Sequence, residues 1–405
     1  MIRRSVKKLR RRRLALLLVV LFASVLLLLC SSGNPVTASA YTSEEQEALD
    51  RLEEEVEELL GSLDTDELQA YLDSFDEYRG KDVKEMLASL VTGDFALKYD
   101  SLFEAVLGLV WEEGRAMLPA FAVILAVAVL CGILNSAKNG FLQGTMSDII
   151  HFVAYVSVGA VILAVLTNVL QTGFSAIAQM QKQMQIVCPI LLTLMAASGG
   201  AVSAGVFRPA VAFLSSGICE LFTAVVLPTS VVVIALTFAG NLSPEVRCEK
   251  LGGLFKSVNK WLIGLTLGLF TLFLTVQGIA SAQYDGISLR TIKYLVSGSV
   301  PIVGGFLSGG LDLVLAGSSL IKSALGSFSV FLLFATILRP VLLFAAFQLF
   351  LRLCAAATEP VGGKISSFLS SLANDCGFFV AGLLCVAFLY FLTVILLVCS
   401  AGVIL

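Results

Sequence analysis

WLIGLTLGLFTLFLTVQGIA, from Trp261 to Ala280, and GFFVAGLLCVAFLYFLTVILLV, from Gly377 to Val398, contain no charged residue. A hydrocarbon core about 30 Å thick takes about 20 apolar helical residues, so each stretch is long enough to cross a bilayer. Lipid offers no hydrogen bonds, and the sequence lacks the short alternating segments of an outer-membrane barrel. The runs are therefore read as helices. From Ala116 to Leu405 the chain repeats this pattern, and from position 101 onward it carries only 14 basic and 11 acidic residues. The expected fold class is all-α: a polytopic helical integral membrane protein with a signal peptide and an acidic helical extracytoplasmic region.

Composition supports that class. Hydrophobic residues make up 57% and charged residues 14%, against about a quarter charged in soluble domains. The net charge of -3 conceals a segregation: residues 1–40 hold eight basic side chains and no acid, and residues 41–100 hold 19 acids against five bases. Met1 to Arg13 is a basic leader, Leu14 to Cys30 an apolar run, and Ala38-Ser39-Ala40 offers the small residues a signal peptidase accepts. Residues 1–40 are expected to be a signal peptide cleaved before Tyr41, with an uncleaved anchor as the alternative. Leu29 stands where lipoprotein processing needs a small residue before Cys30. In either case the basic end stays inside and Tyr41 onward emerges outside.

Residues 41–115 form the acidic region. Leu49, Leu52, Val56, Leu59, Leu60 and Leu63 recur at helical spacing among glutamates, so this region is read as amphipathic helices. About sixty residues bury little apolar surface by themselves. The region either packs on partners or on the membrane body, or is a solvated spacer.

Residues 116–405 are read as a multi-pass domain of about six to eight spans. Candidate spans lie at 116–134, 149–170, 186–206, 209–239, 261–280, 325–353 and 377–405. Pro228 in the fourth suggests a kink or a doubling back, and Arg339-Pro340 breaks the sixth. The densest basic loop, with Arg247, Lys250, Lys256 and Lys260, belongs in the cytoplasm. Four simple crossings from an outside start would leave it outside, so a re-entrant segment is expected between Ile186 and Ala239.

Between Gln277 and Lys322 the pattern changes. Asp285, Gly286, Arg290 and Lys293 cluster in QYDGISLRTIKYL, Pro301 and Asp312 follow, and six glycines lie between Ser297 and Gly317. Each glycine costs a helix up to about 1 kcal/mol relative to alanine. A broken segment near 297–317, lining a pore or a subunit interface, is one reading; a glycine-rich packing helix is the other. Asp285, Gly286, Arg290, Lys293, Pro301 and Asp312 are the candidate channel or interface residues.

VQGIASAQYDGISLRTIKYLVSGSVPIVGGFLSGGLD, with SGGAVSAG at Ser198 to Gly205 and EPVGG at Glu359 to Gly363, resembles the stage III sporulation protein AE family. The resemblance covers most of the chain. It implies a multi-pass protein of the mother-cell membrane surrounding the forespore, within a channel, or feeding-tube, complex that joins the two cells. It further implies partners among the other stage III sporulation A-operon proteins, including the AA ATPase, and the forespore stage II sporulation protein Q. The family offers no catalytic residues to carry over.

The remaining residues are consistent with a non-enzymatic protein without cofactor, metal or nucleic acid. Gly362-Gly363-Lys364 is followed by Ile365 and lacks the leading glycine of a P-loop. His151 is the only histidine, too few for a typical zinc site, and a GxSxG elbow around Ser203 is absent. The nine cysteines include no CxxC and read as packing residues. Glu220 is a candidate intramembrane charge, with Arg208, Arg339 and Arg352 as candidate partners. Gly264 with Gly268, and Gly305 with Gly309, have the GxxxG spacing of close helix packing, within the chain or between copies in a homo-oligomer. Beside the channel component, two readings stay open: an ion-coupled secondary transporter using Glu220 or Asp312, and a non-conducting assembly scaffold.

Overall fold

The computed structural model describes residues 56–61, 65–73, 80, 82–92, 99–136, 145–242, 248–299, 304–360 and 363–400; over 131–136, 145–151, 278–299 and 304–313, among others, it describes the backbone course. The expected signal peptide lies outside these residues. Every element among them is helical: α1 (Asp66–Leu72), α2 (Val83–Thr92), α3 (Tyr99–Ser136), α4 (Thr145–Ala197), a rod α5 running from Ala201 to Leu242, α6 (Glu249–Ser299), α7 (Gly304–Thr358) and α8 (Gly363–Cys399). Helices α4 to α8 are each long and apolar enough to cross a bilayer, and α3 carries a shorter apolar stretch at Gly114–Val127.

The rods are longer than hydropathy alone suggests. The spans expected at 149–170 and 186–206 are not two crossings joined by a loop. Helix α4 runs through both the polar stretch QMQKQMQ, Gln179 to Gln185, and Pro189 without a break. Glutamine, methionine and lysine are good helix formers, so this stretch interrupts the hydropathy and leaves the backbone intact. The chain turns only after Ala197, where Gly199 has φ 92° and the Gly200 N–H donates to the Met195 carbonyl at 2.9 Å. A positive φ at a helix C-terminus is the position glycine fills most readily.

Neither does the fourth expected span double back. Rod α5 holds Pro209 and Pro228, and widens into π-helix at Phe213–Ile218 and Phe222–Val226. Proline lacks an N–H, and wider turns around it let the rod continue without folding over. Helix α7 likewise passes through Arg339-Pro340. Around the expected broken segment, α6 is helical to Ser299 and α7 from Gly304, so the glycines from Gly304 to Gly317 sit on helical backbone. Residues 300–303, Pro301 among them, lie outside the described residues.

Paired contacts set the directions. Rings of Phe344 and Phe379 stack at 4.8 Å, the Ser329 and Tyr390 hydroxyls meet at 2.9 Å, and Gly326 faces Val398. Helices α7 and α8 are therefore an antiparallel hairpin. Gly173 lies against Phe379 and Met195 against Ser400, so α4 runs parallel to α8. Rods α5 and α6 form a second antiparallel hairpin, tied by Asn259 to Ser230 at 2.9 Å and Gln277 to the Val206 carbonyl at 3.0 Å. The Tyr155 hydroxyl donates to the Phe238 carbonyl at 2.7 Å, closing α4 on α5. The helix ends at Ser136, Thr145, Leu242, Glu249, Thr358 and Gly363 mark the lower end of this bundle, and the turn at 198–200 its upper end.

Helix α8 is the most buried of the long helices and α6 the least. Phe368, Leu372, Phe379, Leu383, Tyr390 and Leu397 bury one side of α8 completely. A fully buried side chain of this kind contributes about 1.5–3 kcal/mol over an exposed one. The acidic region is not a solvated spacer over its described residues: Leu68, Tyr71, Leu72, Val83, Met86 and Leu87 are buried, with α1 on α4 and α2 on α7.

Two glycines are required by close approach. A Cβ at Gly173 would stand 2.3 Å from a ring carbon of Phe379, and one at Gly326 would stand 2.2 Å from a methyl of Val398. At Gly264 and Gly268 nothing lies within 4 Å. Gly173→Ala is therefore expected to destabilise the detergent-solubilised protein by about 1–3 kcal/mol, the usual cost of overpacking a dense core. Gly264→Ala is expected to leave thermal unfolding of the isolated chain unchanged, and the two variants are compared in one thermal-unfolding series.

Candidate functional site

The most concentrated polar chemistry sits where α5, α6 and α8 meet. Asp375 enters this junction because α8 begins at Gly363, so the residue faces inward a third of the way along the helix. Its side chain is only 3% exposed. The Lys256 ammonium lies 2.6 Å from its Oδ1, and the Thr237 hydroxyl donates to its Oδ2 at 2.5 Å. One carboxylate thereby binds two other helices. The Lys256 side chain is 35% exposed.

A second set of polar groups lies one turn away on the same α5–α6 seam. Asn259 is fully buried, its Nδ2 donates to the Ser230 hydroxyl at 2.9 Å, and its Oδ1 meets the Thr229 hydroxyl. The Ser230 hydroxyl donates back to the Val226 carbonyl at 2.7 Å. Hydrogen bonds of this kind between apolar helices hold register where dispersion alone is indifferent to sliding.

Halfway up the bundle lies a further cluster. Gln183 of α4 is fully buried, and its Nε2 donates to the Thr336 hydroxyl of α7 at 2.6 Å and lies 3.3 Å from the Leu332 carbonyl. Tyr71 of α1 seats here, with the Lys182 ammonium 5.5 Å from its ring centroid. Burial raises the Tyr71 phenol above its ordinary value, and the neighbouring Gln183 and Thr336 side chains act in the opposite direction. This is the joint through which the acidic helices are held on the membrane body.

The residues singled out from sequence fall elsewhere. Asp285, Gly286, Arg290 and Lys293 lie on the helical backbone of α6 beyond Gln277, and Gly305, Gly309 and Asp312 on the first turns of α7. Glu220 is exposed on α5 between the two π-helical stretches, and makes no ion pair with Arg208 or Arg352. Gly264 and Gly268 face away from the other helices of the chain. Among the described residues, no group of three or more His, Cys, Asp or Glu side chains is placed to hold a metal.

Sequence reading missed the Asp375–Lys256 pair. Its signal was present: Asp375 is the only acid after Glu359. It stands just before the uncharged run that begins at Gly377, outside every expected span.

Long apolar rods in hairpins, tied by buried polar seams, define a helical multi-pass membrane protein. Over residues 81–402 the chain matches the family described as stage III sporulation protein AE, and it belongs to that family. It is 25% identical over 372 residues to stage III sporulation protein AE of Bacillus subtilis (strain 168), covering 91% of this chain and 93% of that protein. No solved structure matches it.

Removing one partner of a buried pair strands the other. Lys256→Met leaves Asp375 inside with Thr237 alone, and is expected to lower stability by about 3 kcal/mol, the low end for a broken buried pair because Lys256 is partly exposed. Asp375→Asn keeps the Thr237 bond and frees a lysine that can turn outward, so its expected cost is smaller. The double variant should be more stable than Lys256→Met alone, as read by thermal unfolding of the purified protein.

Proposed function

We propose that this chain is a non-enzymatic integral membrane component of the sporulation channel linking mother cell and forespore. In this reading it resides in the mother-cell membrane around the forespore and is required for forespore development after engulfment. It assembles there with the other stage III sporulation A-operon proteins, including the AA ATPase, and with the forespore stage II sporulation protein Q. The observation that carries the reading is membership of the family over residues 81–402. The rod architecture supports it, because buried polar seams fix helix register while long exposed apolar faces remain for lipid and for neighbouring subunits.

A second reading, an ion-coupled permease, draws support from the buried Asp375–Lys256 pair, since intramembrane charge commonly marks an ion path. Proton uptake by the purified protein alone in sealed vesicles would favour it. Uptake that needs the partner proteins, or none at all, would favour the channel component.

Asp285→Asn and Arg290→Ala are expected to block spore maturation after engulfment while the protein remains in the membrane fraction. Heat-resistant spore counts and immunoblots of membranes from the same culture check this. Normal spore yield from both variants would count against the assignment of these residues.

A further inference from the structure

We infer that only the lower half of the bundle lies in lipid, and that its upper half stands clear of the membrane on the side that carries the acidic helices. Length gives the first reason. From Thr336 to the lower end of α7 is 22 residues, about 33 Å at 1.5 Å per residue. From Phe222 to the lower end of α5 is 20 residues, about 30 Å. Either distance fills a hydrocarbon core of about 30 Å. Above that level α7 continues for 32 residues to Gly304, about 48 Å. No bilayer holds both halves.

Charge decides which half is immersed. Helix α1 docks at the level of Gln183 and Thr336 through Tyr71, and α2 is tied to α1 by the Val83 N–H donating to Gln69 and packs on α7. They carry Asp66, Glu67, Lys84 and Glu85, which need water. That level is consequently a wet border. Trp111, three-quarters exposed, stands with Glu112 and Arg115 ten residues before Phe121, whose ring meets Phe350 in the lower half. Aromatic side chains beside charges are typical of a membrane border. At the opposite border Lys250 lies in the first turn of α6 and Lys364 in that of α8, and the sequence between the helices adds Lys138 and Arg247. Basic residues there mark the cytoplasmic face.

Counting crossings then removes the conflict met in the sequence. From an outside start, α3, α4 and α5 cross once each and leave the lower ends of α5 and α6, Leu242 and Glu249, inside; α6, α7 and α8 complete six crossings. The apolar stretch 186–197 and the first part of α5 form a hairpin that rises from the outer border instead of crossing. SGGAVSAG, 198–205, is the turn of that hairpin, and DGISLRT, 285–291, lies on α6 beyond the Gln277–Val206 bond. Both motifs therefore stand outside the lipid on the same side. Exposed apolar residues of the upper half, such as Phe213 and Val276, do not face acyl chains.

Bromine on lipid tails quenches tryptophan fluorescence only by contact, and this reads the inference directly. Single tryptophans are placed at Val232 or Leu349 for the lower half, and at Val202, Phe213 or Leu320 for the upper half. The background is Trp111→Phe and Trp261→Phe, in the full chain reconstituted with dibrominated phosphatidylcholine. Trp111→Phe alone, which keeps the exposed Trp261, is a reference that leaves the lower half otherwise unchanged. Strong quenching is expected at 232, 349 and Trp261, with little at 202, 213 and 320. Equal quenching in both halves, quenching confined to the upper half, or none in the lower half would each overturn the inference.

Discussion

A bilayer core is about 30 Å deep, while α4, α6 and α7 contain 53, 51 and 55 residues, each more than twice what that depth accepts. A helix satisfies its own backbone hydrogen bonds wherever it lies, so a rod can leave the lipid without stranding an N–H or C=O. What changes at the border is the demand on side chains. Helix α8 meets that demand for the whole bundle, because it touches α4, α5, α6 and α7 and buries a nearly continuous row of Phe, Leu and Tyr. Gly173 and Gly326 let its neighbours come close enough for Phe379 and Val398 to fill the gap.

Dispersion holds such rods together without choosing a register, since one apolar face slides over another at little cost. Polar contacts make the choice. Asp375 accepts from Thr237 and Lys256, Asn259 reaches Ser230, and Gln183 reaches Thr336. Other hydroxyls, such as Thr275 and Thr393, bond to carbonyls of their own helix and need no neighbour. The first group places helices relative to one another; the second hides a polar atom.

Helical class, membrane residence and family were legible in the sequence because each depends on local pattern: uncharged runs of bilayer length, and motifs such as SGGAVSAG and DGISLRT. Rod length was not. Hydropathy reports side chains, and QMQKQMQ is polar yet helix-forming, so one helix read as two spans. Glycine spacing misled in a similar way. Gly264 and Gly268 carry a recognisable pattern and touch nothing, whereas Gly173 and Gly326 carry none and are closely packed, because their need is set by Phe379 and Val398 more than 70 residues away. The polar seam was hidden for the same reason, with Lys256 read in the basic loop and Asp375 outside every expected span, on a separate helix.

Unbroken helices also join these features mechanically. Lys256, held by Asp375, and Asp285 lie on the same helix α6, 29 residues apart, or about 44 Å along its axis. Thr237, the other partner of Asp375, lies on rod α5, whose first turns belong to SGGAVSAG. The ion pair thus clamps the feet of the two rods whose far parts bear the motifs that mark the family. Rods tied at Asn259–Ser230 and again at Gln277–Val206 cannot slide independently.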